Sequence, residues 1–392
     1  PRAAKTLLAY RYRTLPQAME RAAELGLQGA CYPIATLDGT EGCTLWQHSS
    51  LQMQPSTSVA YAIDKYADVT GDTASLLSEG AEMLVQIARY LYSRGDWNGQ
   101  GFGFYGVMGP DEFHMMVSND FYTNFMGRKA LLLAANVVAS MPEAMRAQLV
   151  QKTGVEDKEI EAWRRAADRM IFLRREDGVL EQHEGYFNLP HIDVHQIPQE
   201  EFPLYSHWSY DRIYRTDMIK QPDVLMAMLL YGDDFTPEEK AANYAYYEPR
   251  CVHESSLSPS IHAILAAELG LRDDTLRFFA FATRLDLDNY NRNTSEGLHL
   301  SSVAATWRTI VQGFGGARYE NGQLSLRPWL PEQWRRFSFS LQIRASILRV
   351  EVSANVVSLA CEGEPFPVLL YGREIIPQAQ RIGYPLEETC DA

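Results

Sequence analysis

Gly109-Pro110-Asp111-Glu112-Phe113-His114 is the stretch of this chain best suited to chemistry. Gly-Pro makes a fixed turn, and two adjacent acids follow it. Trp97, Phe102, Phe104, Tyr105, Phe113, Phe121 and Tyr122 lie close by in sequence and supply ring faces of the kind that line carbohydrate pockets. A carboxyl placed against such rings loses solvation and keeps its proton near neutrality. Glu112 is therefore a candidate general acid, and an ordinary solvated acid pair is the plainer reading.

Three further stretches share one build, a polar loop running into an apolar helix. In Arg250-Cys251-Val252-His253-Glu254-Ser255-Ser256-Leu257-Ser258-Pro259 the serines fall where a helix should begin. Two hydroxyls with free backbone N–H groups would cradle an anion; a simple helix cap is the alternative. In Thr294-Ser295-Glu296-Gly297-Leu298-His299-Leu300-Ser301-Ser302, His299 sits among polar residues rather than on an apolar face. In Ile219-Lys220-Gln221-Pro222-Asp223, Lys220 and Gln221 are expected at a helix N-terminus. A lysine gains nothing from the helix dipole there, so a sugar hydroxyl or an anion would justify it. His191, Asp193 and His195, with His183 nearby, are loosely spaced in an irregular segment, and no metal centre is expected from them. The chain carries no phosphate loop, no dinucleotide-binding glycine fingerprint and no nucleophile elbow.

These stretches need elements to hold them. Apolar residues recur at three- and four-residue steps over residues 15–26, 55–69, 74–93, 121–140, 156–170, 219–231, 237–247, 257–269, 273–285 and 300–313. Thr236 and Pro237 mark one start plainly, with Glu238 and Glu239 at the positive end. Long loops at 29–54, 94–120, 177–218 and 286–299 hold most of the aromatic and histidine residues. In an all-helical ring such loops gather at one end and build a pocket. After about residue 318 the period changes to two, in Leu324-Ser325-Leu326, Phe337 to Ile343, Ile347 to Val352, Val357 to Cys361 and Val368 to Leu370. The expectation is a mainly α catalytic domain over 1–318 and a small β domain over 319–392. Gly313-Phe314-Gly315-Gly316 reads as a close-packed turn between them.

Composition bounds the function. Hydrophobic residues are 46% and charged residues 22% of 392, which excludes a disordered chain. The net charge of −14 disfavours a broad nucleic-acid or anionic-membrane surface, while a local anion site remains compatible with it. No apolar run is long enough to span a bilayer. The five cysteines (Cys31, Cys43, Cys251, Cys361 and Cys390) are odd in number and show no CxxC pair, as expected of reduced thiols in the cytoplasm.

With Asn124 closing the Tyr-Thr-Asn that follows it, the Glu112 stretch resembles the inverting α-glucoside phosphorylases of glycoside hydrolase family 65, the maltose, trehalose, kojibiose and nigerose phosphorylase family. Ile219 to Met226, His253 to Ser258 and Gly297 to Ser302 continue the likeness in the family's order. The resemblance implies an (α/α)6 barrel followed by a small C-terminal β domain. It also implies that this chain begins inside the barrel, without the first helix or helices and the preceding β-sandwich. A companion N-terminal polypeptide is then expected to complete it, and a homodimer is a family expectation. By the same resemblance Glu112 is the general acid, Lys220 and Gln221 hold the glucose ring, and Ser255, Ser256 and His299 bind phosphate. The implied reaction is phosphorolysis of an α-glucosidic disaccharide or oligosaccharide to β-glucose 1-phosphate and a free sugar. Phosphate is a co-substrate, and no cofactor is needed.

Gln54-Pro55-Ser56-Thr57-Ser58 and Met115-Met116-Val117-Ser118 depart from the common family pattern, which leaves linkage and acceptor open. Two alternatives accompany this reading. An inverting α-glucosidase on the same scaffold would need a base carboxylate, for which Glu254 and Glu296 are the nearest acids. A sugar-binding or assembly subunit would need no acid at all.

Overall fold

In a computed structural model, which describes residues 1–290, 292 and 294–387, the chain divides into two compact units, Pro1–Pro190 and His191–Ala392. Cys390 lies outside the described residues. The described part is mainly α-helical, followed by a distinct C-terminal β region.

The first unit packs helices Leu15–Glu24, Gln54–Thr70, Ala81–Arg94, Phe121–Ser140, Glu143–Thr153 and Asp157–Asp168 around one core. Its centre holds Leu84, Ile87, Leu91, Leu131, Ala134 and Trp163, all almost wholly buried. A small residue lets the loop before the central helix lie against it. Gly127 faces the Phe104 ring so closely that a Cβ there would sit 2.6 Å from a ring carbon. Asp120 caps the central helix by accepting from the Thr123 N–H at 2.7 Å, which sets where Phe121–Ser140 begins and where the preceding Glu112 loop must end. The expected helix over 74–93 is broken in two. Residues Leu76–Gly80 form a π turn before Ala81–Arg94, a register change that apolar spacing alone does not reveal.

In the second unit, Asp223–Leu230, Pro237–Tyr247, Ser258–Glu268, Arg272–Arg284 and Leu300–Arg308 are the main helices. Thr236 and Glu239 form a full capping box at the start of Pro237–Tyr247. The last helix ends in a π turn, Thr309–Phe314. The turn at Gly315 and Gly316 is close-packed, as its glycines suggest: a Cβ on Gly316 would lie 2.4 Å from the Arg327 carbonyl oxygen, and its φ is +57°.

Two four-stranded sheets follow. One runs in the order Ile382–Pro385, Val356–Glu362, Ser346–Ser353, Arg336–Ile343, with every pair antiparallel. The other runs Arg318–Glu320, Gln323–Leu326, Val368–Leu370, Arg373–Ile375, with one parallel pair at its centre. Alternation decides the faces: Leu348, Val350 and Val352 point inward with Val357, Leu359 and Cys361, while Arg349 and Glu351 face out. Among the described residues no helix is long and apolar enough to cross a membrane.

Candidate active site

In the first unit, the Glu112 loop is held from both sides. Met108 N–H donates to the Leu51 carbonyl at 3.1 Å, and the Gln52 side chain donates to the Gly109 carbonyl at 3.3 Å. Val107 and Val117 pair across the loop, with N–H···O distances of 2.9 and 3.0 Å. The two adjacent acids then take opposite roles. Asp111 is 1% exposed, and its Oδ2 lies 2.7 Å from His114 Nδ1 and accepts from Gln182 Nε2 at 2.8 Å. Its Oδ1 accepts the Phe113 N–H at 3.2 Å. Glu112, next in the chain, is half-buried and points its Oε1 at His48 Nε2, 3.1 Å away. Asp111 is thus a rivet beneath the loop, and Glu112 is the acid the loop presents.

His48 is absent from the sequence reading. It sits on a short helix, Trp46–Leu51, inside a segment read as a loop. Six residues are too few to show a 3.6-residue period. The aromatic residues also differ from expectation. Phe102, Phe104, Phe113, Phe121 and Tyr122 are sealed in the core, whereas Trp97 is exposed and Tyr105 half-buried. Their hydrophobicity serves packing, and the group seen at the Glu112 carboxyl is an imidazole.

Beneath the loop, His114, His183 and Tyr186 pack ring to ring, the two imidazole centroids 4.9 Å apart. Burial, helped by His114, pushes the His183 pKa down to about 3. The folded state therefore binds fewer protons than the unfolded one between pH 6.5 and 3. Stability from this site is complete above pH 6.5 and is lost as pH falls through that window, by about 1.4 kcal/mol per unit at most. His183→Gln should flatten the fall in melting temperature between pH 6.5 and 4 relative to the parent chain. Asp111→Ala, which strands the His114 and Gln182 donors in the core, should cost about 3 kcal/mol in urea unfolding.

In the second unit, a short parallel bridge joins two of the sequence-predicted stretches. Ile219 N–H donates to the Arg250 carbonyl at 3.0 Å, and Val252 N–H donates to the Ile219 carbonyl at 2.9 Å. Lys220 is thereby laid beside Cys251, whose Sγ donates to the Lys220 carbonyl at 3.7 Å. The Lys220 ammonium sits 5.4 Å from the Tyr205 ring centroid. Lys220 and Gln221 do not occupy a helix start. They form a bend between the bridge residue Ile219 and Pro222, and the helix begins at Asp223.

Ser255 and Ser256 likewise lie ahead of their helix, which starts at Ser258 after Leu257. Ser255 is buried and its Oγ accepts the Leu257 N–H at 3.2 Å; Ser256 is half-exposed. The preceding His253 has φ +54°, a left-handed turn that reverses the chain between the bridge and the serines. Glu254 is 6% exposed and accepts the Leu204 N–H. Burial raises its pKa to about 7, against the lowering effects of that N–H and of the Lys220 charge. The side chain of Glu296 lies outside the described residues.

His299 is the N-cap residue of Leu300–Arg308. Asp286, unnoticed in the sequence, grips it twice: Oδ1 lies 2.6 Å from the ring Nδ1, and Oδ2 accepts the backbone N–H at 2.9 Å. Both contacts hold the Asp286 carboxyl below the usual range. The carboxylate fixes Nδ1 as a protonated nitrogen and sets the plane of the ring. Thirteen residues separate the pair, so no local spacing rule could link them.

The loose histidines resolve into separate roles. His191 Nδ1 lies 2.8 Å from Asp217, which Arg250 also engages at 2.8 Å, and Asp193 accepts the His195 N–H at 3.0 Å. Among the described residues, the one group with donor atoms close enough for a metal ion is Cys251, His253 and His262.

Residues 1–308 match the profile of the glycosyl hydrolase family 65 central catalytic domain, and residues 317–376 match the family's C-terminal domain. The chain belongs to glycosyl hydrolase family 65. An α,α-trehalose phosphorylase of Thermoanaerobacter brockii is 37% identical over 96% of this family 65 chain and 50% of its own length. The maltose phosphorylase of Bacillus subtilis is 37% identical over 97% of the chain and 50% of its own. A kojibiose phosphorylase of Halothermothrix orenii is 34% identical over 92% and 49%. A solved structure described as "Putative kojibiose phosphorylase from human microbiome" is 45% identical, with a TM-score of 0.93 over 98% of the chain and 51% of its own. The family 65 chain therefore spans about half the length of the relatives it matches.

Proposed function

We propose that this chain carries the catalytic part of an inverting phosphorylase acting on an α-glucosidic disaccharide or oligosaccharide. The observation that carries the reading is family membership across nearly the whole chain, joined to relatives named as phosphorylases of three different glucosides. Glu112 protonates the glycosidic oxygen. A phosphate oxygen attacks the anomeric carbon from the opposite face, forming the C1–O–P bond as the bond to the departing sugar breaks. The acceptor sugar leaves with the Glu112 proton as its new hydroxyl hydrogen, and the product is β-glucose 1-phosphate. Phosphate is itself an anionic nucleophile, so no base carboxylate takes part.

Lys220 and Gln221 hold the glucose hydroxyls, and Ser255, Ser256 and His299 hold the phosphate. Support comes from the second unit, where the Ile219–Val252 bridge brings the Lys220 segment to the start of the serine segment. Asp286 keeps the His299 ring oriented through Nδ1 without cost at the moment of reaction.

The test is one assay series on the complete enzyme containing this chain. Maltose, trehalose, nigerose and kojibiose are each supplied with and without phosphate, and glucose 1-phosphate is measured. Phosphate-dependent release of the β-anomer is expected. Equal cleavage in phosphate-free buffer would instead give the reaction to water, with Glu254 as the acid to test as base.

The partner reading is a companion N-terminal segment. Leu300, Val303 and Trp307 stand at three- and four-residue steps along one helix, with exposures of 71%, 61% and 53%. Such a stripe is normally covered, and the relatives' lengths leave about as much chain again to cover it. Trp307→Lys is the matching variant, expected to weaken retention of that segment in size-exclusion chromatography.

A further inference from the structure

Cys251, His253 and His262 place one sulfur and two ring nitrogens within 4.8 Å of one another. Three elements converge to do this. Cys251 is fixed by the bridge to Ile219, His253 by its left-handed turn, and His262 by the second turn of Ser258–Glu268. His262 is fully buried, and its Nδ1 lies 2.8 Å from the Ser258 carbonyl oxygen. A carbonyl can only accept, so Nδ1 carries the proton and Nε2 keeps a bare lone pair. That Nε2 is buried with no hydrogen-bond partner. An orphaned buried acceptor is costly unless something electropositive meets it. His253 is oriented in a similar way, its Nδ1 3.2 Å from Ser258 Oγ.

We propose that Cys251, His253 and His262 form a binding site for a thiophilic divalent cation of the zinc type. The donor set selects the metal class: one sulfur and two imidazoles, with no carboxylate, suit Zn²⁺ or Co²⁺ and not Mg²⁺ or Ca²⁺. Metal bonds of about 2.3 Å to sulfur and 2.0 Å to nitrogen draw the donors inward by about 1 Å. Cys251 and His262 are buried, and His253 is half-buried. Phe278 packs on both rings, its centroid 4.8 Å from that of His253 and 5.0 Å from that of His262. The nearby ionic cluster is one charge short of neutral: Arg277 pairs with both Glu248 and Asp274, at 2.8 Å each. On binding, the Cys251 S–H bond breaks, its proton goes to solvent, and the thiolate bonds the metal. The cation would clamp both sides of the turn that leads to Ser255 and Ser256.

The full chain, stripped with a chelator, is titrated with Co²⁺ as probe. One equivalent is expected to bind with a thiolate-to-cobalt charge-transfer band in the near ultraviolet, and Zn²⁺ should displace it. Cys251→Ser should abolish that band and weaken Zn²⁺ binding at least tenfold, and His262→Gln should weaken it similarly. Cys31→Ser, at another buried thiol, should change nothing. X-ray absorption at the zinc edge of the unmutated chain reads the site without any variant, and one sulfur with two imidazole nitrogens is expected. Absence of the band in the parent chain, its survival in Cys251→Ser, or a zinc shell without sulfur would each overturn the proposal.

Discussion

Glu112→Gln is expected to lower turnover of an unactivated disaccharide by about a thousandfold, the usual scale for losing a positioned general acid. The amide has nearly the shape of the carboxyl and can still meet His48, which lies 3.1 Å from the parent Oε1. Substrate binding should therefore survive, and KM should change little. Leaving-group chemistry makes the test specific. α-Glucosyl fluoride departs as fluoride and needs no proton from the enzyme, so phosphate-dependent release from it should remain close to the parent rate. A variant equally poor on both substrates would show that Glu112 serves binding or folding. A variant unchanged on both would remove its role altogether. Asp111 offers no such discrimination. It is enclosed by His114, Gln182 and the Phe113 N–H, and its loss acts on stability.

His299→Ala is expected to cut kcat/KM for phosphate by about a hundredfold, or roughly 2.7 kcal/mol, the scale for deleting one positioned hydrogen-bonding group at a transferring anion. Asp286→Asn should act in the same direction but less, about tenfold, and mainly through KM for phosphate. The ring remains, but the carboxylate that orients it through Nδ1 at 2.6 Å is replaced by an amide that can sit either way. The disaccharide KM should be nearly untouched in both variants. Initial rates at varied phosphate and fixed saturating disaccharide separate these effects. An equal rise in both KM values would place His299 in the general scaffold instead.

The single residues that these experiments address were unevenly legible. Glu112, Lys220, Ser255 and His299 stand in motifs, because each lies by a turn or helix start whose chemistry is local: Gly-Pro, Pro222 ahead of an apolar helix, and serines or histidine ahead of an apolar run. Their partners were not legible. His48 approaches Glu112 across 64 residues, Gln182 approaches Asp111 across 71, and Asp286 approaches His299 across 13. No periodicity connects positions so far apart. The aromatic residues around Glu112 were legible as hydrophobic, but hydrophobicity does not say whether a ring lines a pocket or fills a core. Phe102, Phe104 and Phe113 fill one.

What the amino-acid order determined alone is the class of most of the longer elements and the break in character near residue 318. Period 3.6 and period 2 are properties of one face of one element, and they are written every few residues. Cap positions were written as clearly at Thr236, where hydroxyl, proline and acid stand at consecutive and third positions. Only the tertiary structure decided which of two neighbouring acids is the rivet and which is presented. It also decided that Lys220 lies in a bend after the Ile219 bridge and not in a helix, and that Cys251, His253 and His262 converge. Burial and long-range pairing are set by what packs over a residue, and that partner is chosen by the whole fold.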